Sequence, residues 1–349
     1  MPAPLISVLI PSYNRPELLV PTIESVLAQS HCDFEVIVSD DASPRGAEIA
    51  AALSRFSADA RFRLILQPKN LGWSDNRNAL LAQATGEFVM LVGDDDLLPA
   101  NALARLSRHI SSQPDTELIA FGYEVIDLDG RFTYKRHVPT MLQLKVGQGD
   151  AWREVFFYDV LPMQAFHPFT LCCRRLRALE WRYDKRCGIG DDVLFLFQAL
   201  DAGCCIDVLP DVLFMWRRAL KPIRGYINLS SNSAANDTAR RAIWTLVQQL
   251  PWRHPAVHEL VHSEEFARHF LGLPRGISRE VAELGRIGTP VALADARSCW
   301  EKLPPDRRWQ AGKMNKLERM RRLGGFGYVW QSCVAAVRRM AGGLTLRTS

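Results

Sequence analysis

The chain has 349 residues and a net charge of +5, with 48% hydrophobic and 23% charged residues. That usage excludes a disordered, collagen-like or coiled-coil protein and fits one large α/β domain with an extension, able to bury a core without disulfide or metal staples. Residues 301–349 hold 11 Lys/Arg and 3 Asp/Glu, a local +8 that leaves −3 on the rest and points to an anionic surface as partner.

Four apolar runs open the chain: Leu5–Ile10, Phe34–Ser39, Phe62–Gln67 and Phe88–Val92. Between them lie stretches of helical length, Pro16–Gln29, Gly46–Phe56 and Trp73–Ala84. In the first of these, Leu18, Leu19, Ile23, Val26 and Leu27 share one face. Pro16 suits the first turn of that helix, with Asn14 near its start. This β-α-β-α-β-α-β order predicts a parallel sheet covered by helices. Beyond it, Glu117–Asp127 and Phe132–Lys135 flank Leu128-Asp129-Gly130 as a hairpin. Residues 136–165 read as irregular, with a helix near Asp150–Tyr158, and 166–174 as extended. Asp191–Ala202 has helical spacing, Cys205–Leu209 and Val212–Trp216 read as two short strands, and helices follow from about Gly225.

The eight cysteines (Cys32, Cys172, Cys173, Cys187, Cys204, Cys205, Cys299 and Cys333) form no C-x-x-C pair, and the adjacent ones sit in apolar runs. They read as reduced thiols in a reducing compartment. Met1 to Ser7 has no basic stretch, and Leu5–Ile10 is too short for a signal segment, so export is not expected and a cytoplasmic location is.

Ligands of open α/β sheets bind outside the carboxyl ends of the strands. Here those ends are followed by Pro11-Ser12-Tyr13-Asn14-Arg15, Asp40-Asp41-Ala42-Ser43, Asn70-Leu71-Gly72 with Arg77-Asn78, and Gly93-Asp94-Asp95-Asp96. Three adjacent carboxylates repel one another, and a divalent cation relieves the repulsion. Mg²⁺ binds through one or two carboxylates plus substrate phosphates, so this last turn reads as a metal seat for a diphosphate. The plain alternative is a solvated acidic turn capping a helix from Pro99.

These strings, in this order and spacing, resemble the nucleotide-binding half of family 2 glycosyltransferases over residues 5–110. The resemblance implies the GT-A (Rossmann-like) α/β fold: a central, mostly parallel sheet flanked by helices, here with a helical C-terminal extension. It implies a catalytic domain over 1–224, with a nucleotide-sugar half at 1–115 and an acceptor-side half at 116–224, followed by the extension at 225–349. Pro11, Tyr13, Asn14, Arg15, Asn70, Gly72 and Asp94 would bind the donor. Asp41 would accept a hydrogen bond from the base, and Arg77 would approach the diphosphate or sugar. Asp94, Asp95 and Asp96 would hold Mn²⁺ or Mg²⁺ in the family's Asp-x-Asp motif. Gly93 stands where the motif's first Asp usually is, which leaves the ligand set open. Gly188-Ile189-Gly190-Asp191-Asp192 resembles the family's Glu-Asp motif, with Asp192 as the general base and Asp191 in the Glu position; without the resemblance the pair would simply cap a helix. The glycines there would let backbone approach the substrate.

The reaction implied is transfer of a sugar from a nucleoside-diphosphate sugar to a hydroxyl of a carbohydrate or lipid-linked glycan. It would invert the anomeric centre and serve cell-surface polysaccharide or glycoconjugate synthesis. The alternative is a non-catalytic nucleotide-sugar-binding protein of the same fold. His167 in His167-Pro168-Phe169-Thr170 is read as structural. Trp216-Arg217-Arg218 is either a strand-end surface group or, as in family members, a basic neighbour of the phosphates. The missing G-x-G-x-x-G and G-x-x-x-x-G-K-[ST] strings argue against a dinucleotide oxidoreductase and a P-loop phosphotransferase. Nucleic acid is not an expected partner. Near the end, Met314–Leu323 and the helical spacing of Trp330, Cys333, Val334, Val337 and Met340 make a basic amphipathic stretch. It suits peripheral contact with the cytoplasmic face of a membrane, packing on the catalytic domain, or a dimer contact.

Overall fold

The computed structural model describes residues 6–30, 33–137, 143–144, 170–218, 233–264 and 266–267. Met1–His262 cluster as one compact unit and Ser263–Ser349 as a second. The first unit carries all the elements described below.

The chain opens with β1 (Ile6–Ser12), α1 (Pro16–Leu27), β2 (Phe34–Asp40), α2 (Gly46–Leu53), β3 (Phe62–Leu66), α3 (Trp73–Gln83) and β4 (Phe88–Leu91). These are the expected alternating elements, except that α2 stops at Leu53 and Ser54–Phe56 tighten into a 3₁₀ turn. Every residue of β1 is buried, as a central parallel strand covered on both faces requires. Pro16 occupies the first turn of α1, whose Leu19, Ile23 and Val26 are fully buried. Asn14 does not cap that helix: it takes a positive φ of 61°, and its N–H donates to Ser43 Oγ at 2.8 Å.

Next come α4 (Ala102–Ser112), β5 (Leu118–Ile126), β6 (Phe132–His137), β7 (Gln143–Leu144), β8 (Leu171–Arg174), α5 (Arg175–Glu180), a 3₁₀ segment (Lys185–Gly190) and α6 (Asp191–Asp201). Then follow β9 (Ile206–Arg217), α7 (Ser233–Val247) and α8 (Pro255–Val261). The sheet order among the described residues is β3-β2-β1-β4-β8-β5-β9-β7, with β6 on β5. The β1–β2, β2–β3, β1–β4 and β5–β9 pairs are parallel. Antiparallel pairing enters through β8, which lies between β4 and β5, and through β6 on β5 and β7 on β9.

The hairpin is present, its turn closed by Asp127 Oδ1, which accepts from the N–H groups of Asp129 and Arg131 at 3.0 and 2.9 Å. The two short strands expected at 205–216 are one strand, β9, whose pairing with β5 shifts register around Pro210 and Asp211. Proline removes a ladder hydrogen bond, which reads as a strand end, but an irregularity can absorb it. The helix expected near 150–158, His167 and the amphipathic stretch from Met314 lie outside the described residues. Cys172, Cys173, Cys187 and Cys204 are buried free thiols.

The parallel register fixes where the site is. Ser12 pairs with Asp40 and Asp40 with Leu66, so β1, β2 and β3 end level. Val92 N–H extends the β1–β4 ladder to Leu9 O at 2.9 Å. The four motif-bearing segments therefore leave the sheet along one edge.

Candidate active site

The acidic turn is not a helix cap. The N-cap residue of α4 is Asn101, five residues beyond Asp96, and Asp94 and Asp96 are buried. Each aspartate is held differently. Asp94 Oδ2 accepts from Ser12 Oγ at 3.1 Å and from Tyr13 N–H at 3.2 Å. Arg15 Nη1 stands 3.2 Å from Asp94 Oδ1 and 2.9 Å from Asp95 Oδ2, so one cationic nitrogen serves both carboxylates. Asp96 Oδ1 accepts from the Arg217 N–H at 2.8 Å. The turn is thus fastened to the loop after β1 and to the end of β9, with Leu97 and Met215 exchanging backbone hydrogen bonds alongside.

Burial, reinforced by Asp95 and resisted by Arg15, pushes the Asp94 carboxyl up to about 6. Burial and Asp95 push Asp96 well above the usual carboxylate range. In both, burial and the neighbouring Asp95 disfavour the ionised form.

Gly93 has a physical reason to be glycine. A Cβ there would lie 2.3 Å from Asp96 Oδ2 and 3.2 Å from Asp95 Oδ1. The Asp96 carboxylate fills the space into which an aspartate at position 93 would have to grow. Among the described residues, no group of three His, Cys, Asp or Glu side chains is arranged to hold a metal ion. Within the turn, Asp94 and Asp95 share the Arg15 cation while Asp96 turns to the Arg217 backbone. Asp94 Oδ1 and Asp95 Oδ2 do meet at one positive nitrogen, and hard oxygen donors of that kind fit Mg²⁺ or Mn²⁺.

The turn after β2 is knitted to its neighbours. Ser43 donates from its N–H to Asp40 Oδ2 at 3.0 Å and from its hydroxyl to Asp40 Oδ1. Asp41 receives the N–H of Leu71 at 2.6 Å and of Gly72 at 2.9 Å, while Asn70 Nδ2 donates to Asp41 O at 3.0 Å. Asp41, Asn70 and Gly72 are therefore brought together, with Gly72 at φ 83° ahead of α3. Each Asp41 oxygen retains a second lone pair for a ligand donor. Pro11 lies buried within β1. Tyr13 is 49% and Trp73 41% exposed, two large rings at the rim.

Arg77 lies deep in the protein. It is shut from solvent, being 1% exposed. Its Nη1 donates to Asp191 Oδ1 at 2.9 Å, and Asp191 is fully buried. The guanidinium lies 4.0 Å from the centre of the Trp73 ring and 5.0 Å from that of Tyr183. The next residue, Asn78, donates to Tyr183 O at 2.8 Å and accepts from Tyr183 N–H at 3.1 Å. Arg77-Asn78 thus staples α3 to the segment that leads into α6.

Asp191 and Asp192 form the first turn of α6, where the helix dipole favours negative charge. Asp192 Oδ1 accepts from Val193 N–H at 2.8 Å. Burial, then the Asp191 charge, push Asp192 up to about 7, with Arg77 opposing. Burial likewise raises Asp191 while Arg77 holds it back. Of the glycines before the pair, Gly190 packs against protein. Gly188 takes φ 57°, and a Cβ on Gly190 would lie 2.5 Å from Ile243 Cδ1. The close approach at Gly190 is to helix α7.

Sequence reasoning missed Trp73, Tyr183 and Ile243. Trp73 directly follows Asn70-Leu71-Gly72 and was visible; Tyr183 and Ile243 carry no local signal.

Searches among solved structures find the same architecture in TarS 1-349 of S. aureus in complex with UDP, at TM-score 0.55 and 19% identity, covering 76% of this chain and 71% of that one. The mannosyltransferase PcManGT of Pyrobaculum calidifontis, in complex with GDP-Man and Mn²⁺, aligns at TM-score 0.52 and 19% identity, covering 88% and 83%. These likenesses show the fold: a GT-A α/β sheet flanked by helices. The family profile for Glycosyl transferase family 2 matches residues 7–188, and the chain belongs to that family. Relatives include the succinoglycan biosynthesis protein ExoO of Rhizobium meliloti, 27% identical over 64% of this chain and 60% of that protein. The amylovoran biosynthesis glycosyltransferase AmsB of Erwinia amylovora is 28% identical over 52% and 58%. An uncharacterized protein, y4gI, of Sinorhizobium fredii is 38% identical over 33% of this chain and 13% of its own length. The chain thus spans less than two thirds of these relatives.

Proposed function

We propose that the chain transfers a sugar from a nucleoside-diphosphate sugar to a hydroxyl of a carbohydrate or lipid-linked glycan, with inversion, in cell-surface polysaccharide or glycoconjugate synthesis. One observation carries the reading: a buried acidic turn at the carboxyl edge of the sheet, fastened to the loop after β1 and the end of β9. Membership of glycosyltransferase family 2 supports it.

In this reading residues 1–115 bind the donor and 116–224 shape the acceptor side, with 225–349 as the extension. Tyr13, Asn14, Arg15, Asp41, Asn70 and Gly72 frame the nucleotide. Asp95 and Asp94 hold Mn²⁺ or Mg²⁺, while Asp96 clasps β9. A cation bound there supplies charge neutralisation to the departing diphosphate. Arg15 exchanges its contacts with the two carboxylates for the donor phosphates. Asp192, raised by burial to about 7, accepts the proton of the attacking hydroxyl, a role best served by a group titrating near the working pH.

A cytoplasmic location is part of this proposal. No helix among the described residues is long and apolar enough to cross a membrane. The basic stretch from Met314 is proposed as a peripheral contact with the cytoplasmic face. Removing residues from Lys313 onward is expected to move the protein out of the floating fraction with anionic vesicles; an unchanged fraction refutes the contact.

A screen of nucleotide sugars with Mn²⁺, scored by release of nucleoside diphosphate, tests the reaction. Consumption of one donor supports it. No consumption of any donor, with metal and glycan acceptors present, overturns it.

A further inference from the structure

Arg77 and Asp191 make an ion pair in which both members are shut from solvent, at 1% and 0% exposure. Removing either partner leaves a buried charge uncompensated, so the pair is costly to disturb. The surroundings fix its geometry. The guanidinium lies against the Trp73 and Tyr183 rings. Tyr183 stacks on Phe195 of α6, with ring centres 4.7 Å apart and planes 9° from parallel. Asn78 clamps the Tyr183 backbone in both directions. A side chain held so firmly by protein groups is set up to orient a neighbour.

We propose that Arg77 is a positioning residue for the proton-accepting side of the site: from α3 it fixes Asp191, and through the first turn of α6 it sets the placement of Asp192. The inference rests on the proposed base role of Asp192. It departs from the expectation that Arg77 meets the donor.

The groups acting on Asp192 are Asp191 beside it, Arg77 from α3, and Tyr183 and Cys187 from the approach to α6. Arg77 is the cation among those four. Losing its charge should therefore make Asp192 harder to ionise as well as misplaced.

The test compares wild type with Arg77→Lys and Arg77→Gln in the full chain. For the donor found by the screen, Arg77→Gln is expected to lower kcat at least tenfold while donor KM stays within twofold. Its acid limb should move to higher pH, and Arg77→Lys should recover part of the loss. A donor KM raised tenfold with kcat retained overturns the proposal in favour of a donor contact, and unchanged kinetics overturn it outright. NMR titration of ¹³C-labelled aspartates, with Asp192 assigned through Asp192→Asn, gives a readout independent of turnover. A midpoint for Asp192 that is the same in Arg77→Gln as in wild type overturns the proposal even if no donor is ever found. Should Arg77→Gln fail to fold, Arg77→Lys carries the same measurements: a lowered kcat at constant donor KM supports the proposal, and wild-type kcat overturns it. Failure of the underlying reading is separate: it would show as wild-type turnover in Asp192→Asn.

Discussion

Asp96 Oδ2 stands 2.3 Å from the point where a side chain on Gly93 would begin. The carboxylate cannot move away freely, because its other oxygen holds the Arg217 N–H. Gly93→Ala is therefore expected to destabilise the fold by about 1–3 kcal/mol, the usual cost of forcing atoms into a packed site. The second change Asp96→Ser should recover part of the loss in the Gly93→Ala background. Thermal melts of the single and double variants check this, and a Gly93→Ala protein melting with wild type would rule out the contact.

The same turn predicts a coupling. A nucleoside diphosphate should raise the melting temperature only with Mn²⁺ or Mg²⁺ present, because two anions meet there without it. At ligand one hundredfold above Kd the gain is about 2.7 kcal/mol. Asp95→Asn should remove most of it. Equal stabilisation with and without metal would argue against a metal seat.

Asp192 links function to stability through pH. Burial pushes its carboxyl up to about 7 in the fold, above the ordinary carboxylate range. An acid with a raised value is bound to its proton more tightly when folded, so its contribution is fully present below the unfolded value and lost as pH rises through 7. Asp192→Asn removes that loss. It is expected to abolish transfer, to melt a few degrees above wild type at pH 8, and to melt close to wild type below pH 4, where the native acid is neutral in both states. Melting curves at the two pH values check the sign; a variant less stable at pH 8 would refute it.

Much of this was legible in the sequence because it was local. The alternation of strands and helices, the turn residues at strand ends and the hairpin at Leu128-Asp129-Gly130 are written in neighbouring residues. What escaped involves partners far apart in the chain. Nothing near Arg77 in the chain announces its partner Asp191, 114 positions later. Gly190 looks like a substrate-facing glycine until Ile243 packs on it. Pro210 looks like the end of a strand because the ladder that continues past it belongs to β5. Asp94, Asp95 and Asp96 look equivalent, and only their separate hydrogen-bond partners divide the work among them.

Gly190→Ala should be destabilising, since its Cβ would lie 2.5 Å from Ile243 Cδ1. The contact is to the tip of a flexible side chain, so the expected cost is about 1–2 kcal/mol, toward the low end of overpacking effects. Ile243→Val should relieve it, and a double-mutant cycle reads the coupling. Strictly additive effects would mean the two positions do not touch.

That contact bears on how far the chain can be trimmed. The family profile stops at residue 188, and a designer seeking a minimal catalyst would cut soon after β9. Such a cut removes α7, and with it the wall behind the Gly190 turn that presents Asp191 and Asp192. The shortened protein would keep every motif that a sequence search recognises and lose the backing that holds the last of them steady.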